Sequence, residues 1–245
     1  MEFENKVALI TGAAVGIGRA VALKMAERGA SLVLLDVNAE KLEKVKEELS
    51  LPASRLLTLP CDVSNEALVN QAVEAALAHF GRIDILINNA AIWRSWNEFW
   101  LIPTEKWKKF IDVNLMSVVY CTRAVLGGML QNGYGRIVNV ASVAGVYGNA
   151  RMSCYSATKA AVISLSAALA KEVADKGITV NCVSPGTVTP SDHTDIHYTE
   201  PNELSHMGRT GSDSENAELI CFLSSDRSPY LSGQNIQIDG CRKKI

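Results

Sequence analysis

The sequence predicts a doubly wound α/β fold, a Rossmann-like parallel sheet of roughly seven strands with helices on both faces. Three observations predict it. Short apolar runs alternate with longer helical stretches from Val7 to Asp239. The first run ends in the glycine-rich turn Thr11-Gly12-Ala13-Ala14-Val15-Gly16-Ile17-Gly18, and the second ends in Asp36, 18 residues beyond Gly18. No Pro-, Gly- or Ser-rich linker divides the 245 residues, so one domain is expected over 1–245.

Val7 to Ile10 reads as the first strand and Arg19 to Arg28 as the first helix. A strand, a glycine turn and a helix put backbone N–H groups and the positive helix end where a pyrophosphate lies. Gly12, Val15, Gly16, Ile17 and Gly18 are therefore expected to hold a dinucleotide. Ser31 to Asp36 is the second strand, and Asp36 stands where such a unit places the acid that binds the adenosine ribose hydroxyls. A carboxylate there repels a 2′-phosphate, and Ala13, Ala14, Val15 and Val37 supply no cation to offset it. The expected cofactor is NAD(H) rather than NADP(H).

Asn38 is expected to cap a charged helix through Glu48. A third strand near Arg55 to Leu59 leads to Cys61-Asp62-Val63, and a Ser64-capped helix follows that Gly81 ends. Ile83 to Ile87 is the fourth strand, delivering Asn88-Asn89-Ala90-Ala91 to the carboxyl edge of the sheet, where ligands bind in open α/β folds. The paired asparagines are read as holding backbone groups across neighbouring strand ends. Ile92 to Trp100 breaks every periodicity and holds three of the four tryptophans, Trp93, Trp96 and Trp100, which suits a pocket lining or an interface. Thr104 starts a long helix through about Gln131, with Asn114 inside it, although Asn favours caps and turns.

Arg136 to Val140 forms the fifth strand, with Ala141 and Ser142 directly after it at the same edge. Cys154 opens a helix of small and apolar residues through Ala174, in which Tyr155 and Lys159 lie four apart and so leave one face together. The ammonium is expected to lower the pKa of the phenol, and the Ser142 hydroxyl to reach a carbonyl presented to Tyr155. Ile178 to Val183 is the sixth strand, followed by Ser184-Pro185-Gly186. The polar stretch 187–211 reads as a substrate lid. His193 and His197, with Asp192 and Asp195 nearby, are explained by a polar lid, and no metal is expected. Ser212 to Glu215 has the capping-box pattern for a helix to about Leu223, and Gln234 to Asp239 is the last strand.

Composition narrows the function. The formal net charge of −2 offers no electrostatic case for nucleic acid or an anionic membrane surface. The first residues are polar and do not read as a signal peptide, and no apolar run reads as a membrane span. The six cysteines are scattered without a CxxC pair, which suits a reducing, cytoplasmic compartment.

With these residues in place, the chain resembles the short-chain dehydrogenase/reductase family, including its 3-oxoacyl-acyl-carrier-protein reductase-like members. The resemblance rests on Thr11-Gly12-x-x-x-Gly16-x-Gly18, Asp62-Val63, Asn88-Asn89-Ala90, Asn114, Ser142, Tyr155-x-x-x-Lys159 and Asn181 to Gly186, in that order. It implies that Tyr155 moves the proton, Lys159 tunes it and binds the nicotinamide ribose, Ser142 orients the substrate oxygen, and Asn114 supports a water relay to the lysine. It further implies cofactor contacts from Asp62, Val63, Asn89, Ala90 and Ala91, and from Pro185, Gly186 and Val188 around the carboxamide. Family members commonly form dimers or tetramers, so a homo-oligomer is expected. Three positions depart from the pattern. Ala91 and Cys241 stand where glycine is frequent, and Pro190 stands where a threonine is, which shifts the carboxamide contact to Thr187 or Thr189 or removes it.

The combined expectation is an NAD(H)-dependent oxidoreductase interconverting a secondary alcohol and a ketone, on a small to medium, partly apolar substrate that is steroid-like, aromatic or a polyol. A 3-oxoacyl thioester reductase is the alternative within the class. A dinucleotide-binding sensor or scaffold without turnover, or a methyltransferase, are the rivals outside it. The intact Tyr155, Lys159 and Ser142 speak against both.

Overall fold

A computed structural model describes residues 1–94, 96–188 and 194–243. Seven parallel strands form one sheet in the order β3-β2-β1-β4-β5-β6-β7. They are β1 Val7–Thr11, β2 Ser31–Asp36, β3 Leu56–Pro60, β4 Ile85–Asn88, β5 Gly135–Val140, β6 Ile178–Pro185 and β7 Asn235–Ile238. Every residue of β1, β4, β5 and β6 is buried, as a parallel sheet covered on both faces requires. This is why these strands read as continuous apolar runs rather than alternating ones.

The helices are α1 Gly16–Glu27, α2 Ala39–Leu49, α3 Glu66–Phe80, α4 Thr104–Ile111, α5 Ser117–Asn132, α6 Val143–Tyr147, α7 Ser153–Val173 and α8 Asp213–Ser224. Val21 and Met25 of α1, Leu42 of α2 and Ile220 of α8 bury against one sheet face around Ile10, Leu34 and Ile85. Val69 of α3, Val125 of α5 and Val173 of α7 cover the other around Leu9, Leu86 and Ile137. The strand order reverses between β1 and β4, and that switch point opens a crevice at the carboxyl edge.

Three local expectations are corrected. Asn65, not Ser64, caps α3, because its side-chain oxygen accepts from the Ala67 and Leu68 N–H groups while Ser64 donates its hydroxyl to Asp62. The single helix expected from Thr104 is interrupted by a π turn at Asp112–Met116, with Asn114 buried inside it. The run 104–132 is also long and apolar enough to cross a membrane by length and composition, contrary to the sequence reading. Here, however, its Val118, Cys121, Val125 and Met129 pack into the protein interior. Ser212 and Glu215 form the expected capping box.

Candidate active site

The carboxyl edge carries a cleft of about 880 Å³ into which α1, the turn after β4, β5, α7 and the segment after β6 all deliver residues. Its dinucleotide half begins at α1. Val15 is the N-cap in extended conformation with no side-chain cap, and the first turn holds no acid. The N–H groups there are left for a ligand, whereas Asn38, Asn65 and Ser212 spend a side-chain oxygen on the starts of their helices. Gly18 lets the helix close on the turn, since a Cβ there would lie 2.1 Å from the Gly12 carbonyl oxygen.

Thr11 and Asn89 lock β1 to the turn after β4. The Thr11 hydroxyl accepts from the Asn89 and Ala90 N–H groups, each at 3.0 Å. The Asn89 amide donates to the Thr11 and Gly12 carbonyls at 3.1 and 3.0 Å. Asn89 thus holds backbone across strand ends as expected, while Asn88 does something else. Its amide donates to Asn139 at 2.8 Å, and Asn139 donates to Ser166 of α7 at 2.7 Å. This buried chain ties β4 and β5 to the tyrosine helix, and Asn139 and Ser166 were invisible to motif reading because they sit in ordinary strand and helix patterns.

Asp36 sits at the far end of the cleft, accepting from the Ala14 and Asn38 N–H groups at 3.0 and 2.9 Å. Gly12, Val15, Gly16, Ile17, Val37, Asp62, Val63, Asn89, Ala90, Ala91, Pro185, Gly186 and Val188 all line the same cleft. Gly18 lies behind it. Thr187 lines it as well, while Thr189, Pro190, Asp192 and His193 fall outside the described residues. Uncapped N–H donors, a glycine turn and an acid at the ribose end fit an adenine dinucleotide.

At the other end, Ser142 caps α6 directly after β5, and Tyr155 lies in the first turn of α7. The two helices touch through backbone, because a Cβ at Gly145 would lie 2.6 Å from the Lys159 carbonyl carbon. That approach sets the Ser142 hydroxyl beside the Tyr155 phenol, and both line the cleft. Lys159 is 3% exposed, and its ammonium donates to the Val140 carbonyl at 2.6 Å, lying 5.8 Å from the Tyr155 ring centre.

The electrostatics correct the sequence reading. Lys159 was expected to pull the phenol pKa down, but burial pushes it up, and the opposing influence comes from the neighbouring Ser142 hydroxyl. Burial also lowers the Lys159 ammonium to about 8, against a small opposing effect from Cys182. Both groups are dominated by desolvation, which disfavours whichever form is charged. Asn114, expected to link the lysine to water, spends its side chain on Ile92, accepting from its N–H at 2.8 Å and donating to its carbonyl at 2.9 Å. It does not line the cleft; it holds the loop that does.

Trp93 and Trp96 line the cleft from that loop, whereas Trp100 is 77% exposed on a 3₁₀ turn outside it. The loop is pinned to the segment before α7, with the Asn97 N–H donating to the Arg151 carbonyl and Arg151 pairing with Glu98. The sequence reading missed five charged or polar residues of the cleft, namely Lys109, Asn149, Glu200, Asp213 and Arg242. Only Asp213 belongs to a local pattern, the capping box. Cys241 has φ +57, a left-handed conformation that accounts for a glycine being frequent there.

Residues 6–200 match the family described as short chain dehydrogenase. The chain is 39% identical over 249 residues to the (2S)-[(R)-hydroxy(phenyl)methyl]succinyl-CoA dehydrogenase subunit BbsD of Thauera aromatica, covering 99% of this chain and 98% of that one. It is 40% identical over 244 residues to the 3-oxoacyl-[acyl-carrier-protein] reductase of Thermotoga maritima, covering 98% of each. Among solved structures, the 3-ketoacyl-(acyl-carrier-protein) reductase of Brucella melitensis complexed with NADH superposes with a TM-score of 0.89 at 34% identity, over 97% of this chain and 98% of that one.

Proposed function

Because the chain belongs to the short-chain dehydrogenase/reductase family of oxidoreductases, we propose that it is NAD(H)-dependent and interconverts a secondary alcohol and a ketone on a partly apolar substrate. The observation that carries this reading is the juxtaposition of Ser142, Tyr155 and Lys159 on the wall of a cleft that reaches Asp36 at its other end. The nicotinamide, when bound, supplies or accepts the hydride. The protein's own part is the proton. A phenol kept neutral by burial holds a proton for a carbonyl oxygen, and Ser142 can donate a second hydrogen bond to that oxygen. In the oxidation direction Tyr155 takes the hydroxyl proton back, and the buried phenol makes that direction favour alkaline pH. Trp93 and Trp96 support an apolar or aromatic substrate body. The deciding experiment is a panel of secondary alcohols with NAD⁺, followed at the reduced-nicotinamide absorbance.

Asp36 supports the choice of NAD(H). Its carboxylate is fixed by two backbone N–H groups, the neighbouring Val37 is 75% exposed and carries no charge, and Arg19 is engaged by Glu48. A 2′-phosphate beside that carboxylate meets like charge without a counter-cation. The expected result is at least a ~10²-fold preference for NAD⁺ over NADP⁺ in kcat/KM, and Asp36→Ala combined with Val37→Arg should reverse its direction. Equal use of the two cofactors by the parent enzyme would remove this part of the reading.

A 3-oxoacyl thioester reductase is the second reading, favoured by the Thermotoga maritima relative. Acetoacetyl-CoA in the same panel separates the two. For assembly, α7 exposes the small residues Ala157, Ala160, Ser164 and Ala168 on one face, which permits close helix approach. A dimer or tetramer is expected in light scattering, and a monomer at micromolar concentration contradicts it.

A further inference from the structure

We infer that Arg242 recognises a carboxylate on the substrate, so that the natural substrate is an anionic hydroxy or keto acid with an apolar body. The inference rests on the alcohol–ketone reading above and names the substrate class within it. Arg242 is half-buried and faces the cleft, and its guanidinium makes one side-chain hydrogen bond among the described residues, to the neutral Asn149 amide oxygen at 3.1 Å. Glu200 and Asp213 face the same cleft, yet no carboxylate among the described residues forms an ion pair with Arg242. The Asp239 carboxylate accepts from the Arg242 backbone N–H.

The residue is held at both ends. Its backbone forms a bridge with Ser205, and the flanking Lys243 N–H donates to Leu204 at 2.9 Å. Its Asn149 partner donates its own N–H to Ser156, the residue after Tyr155. The guanidinium is thus preorganised on the wall that carries the catalytic tyrosine.

An apolar substrate body seated against Trp93 and Trp96 would strip water from that guanidinium, and a desolvated charge with one neutral partner is costly unless the ligand brings the opposite charge. A carboxylate matches the planar donor fork in two parallel hydrogen bonds. An ester or amide in the same place leaves the charge unanswered, so selectivity against uncharged analogues follows from the same geometry.

The test compares 3-hydroxy-3-phenylpropanoate with its methyl ester as substrates with NAD⁺, in the parent enzyme, Arg242→Gln and Arg242→Lys. A second arm titrates NADH-loaded protein with 3-phenylpropanoate and with 3-phenylpropanamide. The acid should exceed the ester by about 10- to 100-fold in kcat/KM, mainly through KM. Arg242→Gln should bring the acid-to-ester ratio within about twofold of one, and Arg242→Lys should restore part of it. Equal use of acid and ester by the parent overturns the inference, as does equal binding of acid and amide or binding of neither. So does a weakening of NADH by Arg242→Gln, which would assign the guanidinium to the dinucleotide. If 1-phenylethanol is oxidised but acids gain nothing, the dehydrogenase reading stands and this one falls. If no alcohol is oxidised but acid binding depends on Arg242, the recognition stands and the turnover reading falls.

Discussion

Tyr155→Phe is expected to lower kcat by about 10²- to 10⁴-fold, the range for removing a general acid/base, while NADH still binds. The substitution removes one oxygen from the first turn of α7 and leaves the ring in place, so the helix and its packing persist. What disappears is the hydroxyl that stands beside Ser142 in the cleft and can pass a proton to the substrate oxygen. Ser142 remains available to hydrogen-bond that oxygen, which sets the residual rate. Single-turnover kinetics with a deuterated alcohol and NADH titration together check the expectation. Full activity in the variant would remove Tyr155 from the mechanism, and loss of NADH affinity alone would make it a binding residue. The pH profile adds a second check. With burial holding the phenol above its ordinary pKa, alcohol oxidation by the parent should rise through the alkaline range, and the phenylalanine variant should lose that rise.

The layered architecture was legible because a parallel sheet buried on both faces writes itself as continuous apolar runs. The site's skeleton was legible for a related reason. Ser142 follows β5 directly, and Tyr155 opens the next long helix, so chain order alone brings both to one edge. What the sequence left hidden depends on contacts far apart along the chain. The lysine's direction is one case: periodicity places Lys159 beside Tyr155, but only the fold shows Val140 presenting a carbonyl to it. Asn114 is another. Its unease within a helix was readable, but the π turn and the clamp on Ile92 depend on where that loop lies. Arg242 is the clearest, since nothing around it in sequence marks a ligand contact, and its position comes from the tail pairing with residues 204–206.

Lys159 should leave the largest mark on stability as a function of pH. Its ammonium is enclosed, with Val140 as its hydrogen-bond acceptor and the Cys182 thiol as an electrostatic neighbour. Burial holds it near 8 in the folded chain, against 10.5 for an exposed lysine. Between those values the unfolded chain binds a proton that the folded chain has released, so stability rises with pH across that interval. Below the folded value both states carry the charge, and the full desolvation penalty applies. Each pH unit is worth at most ~1.4 kcal/mol, so the parent should gain about 3 kcal/mol from pH 7.5 to 10.5 relative to Lys159→Met, which has no such group. Cys182, pushed up from 9.0 to about 11, lowers stability as pH rises between those values, but both proteins carry it and its effect cancels in the difference. Urea unfolding of both proteins over a pH series measures the difference directly. A difference that stays flat, or one that falls as pH rises, would mean that the ammonium is not penalised in the fold. The lysine would then be a satisfied structural donor to Val140, and any effect of its removal on turnover would have to come from lost contact with the cofactor or substrate.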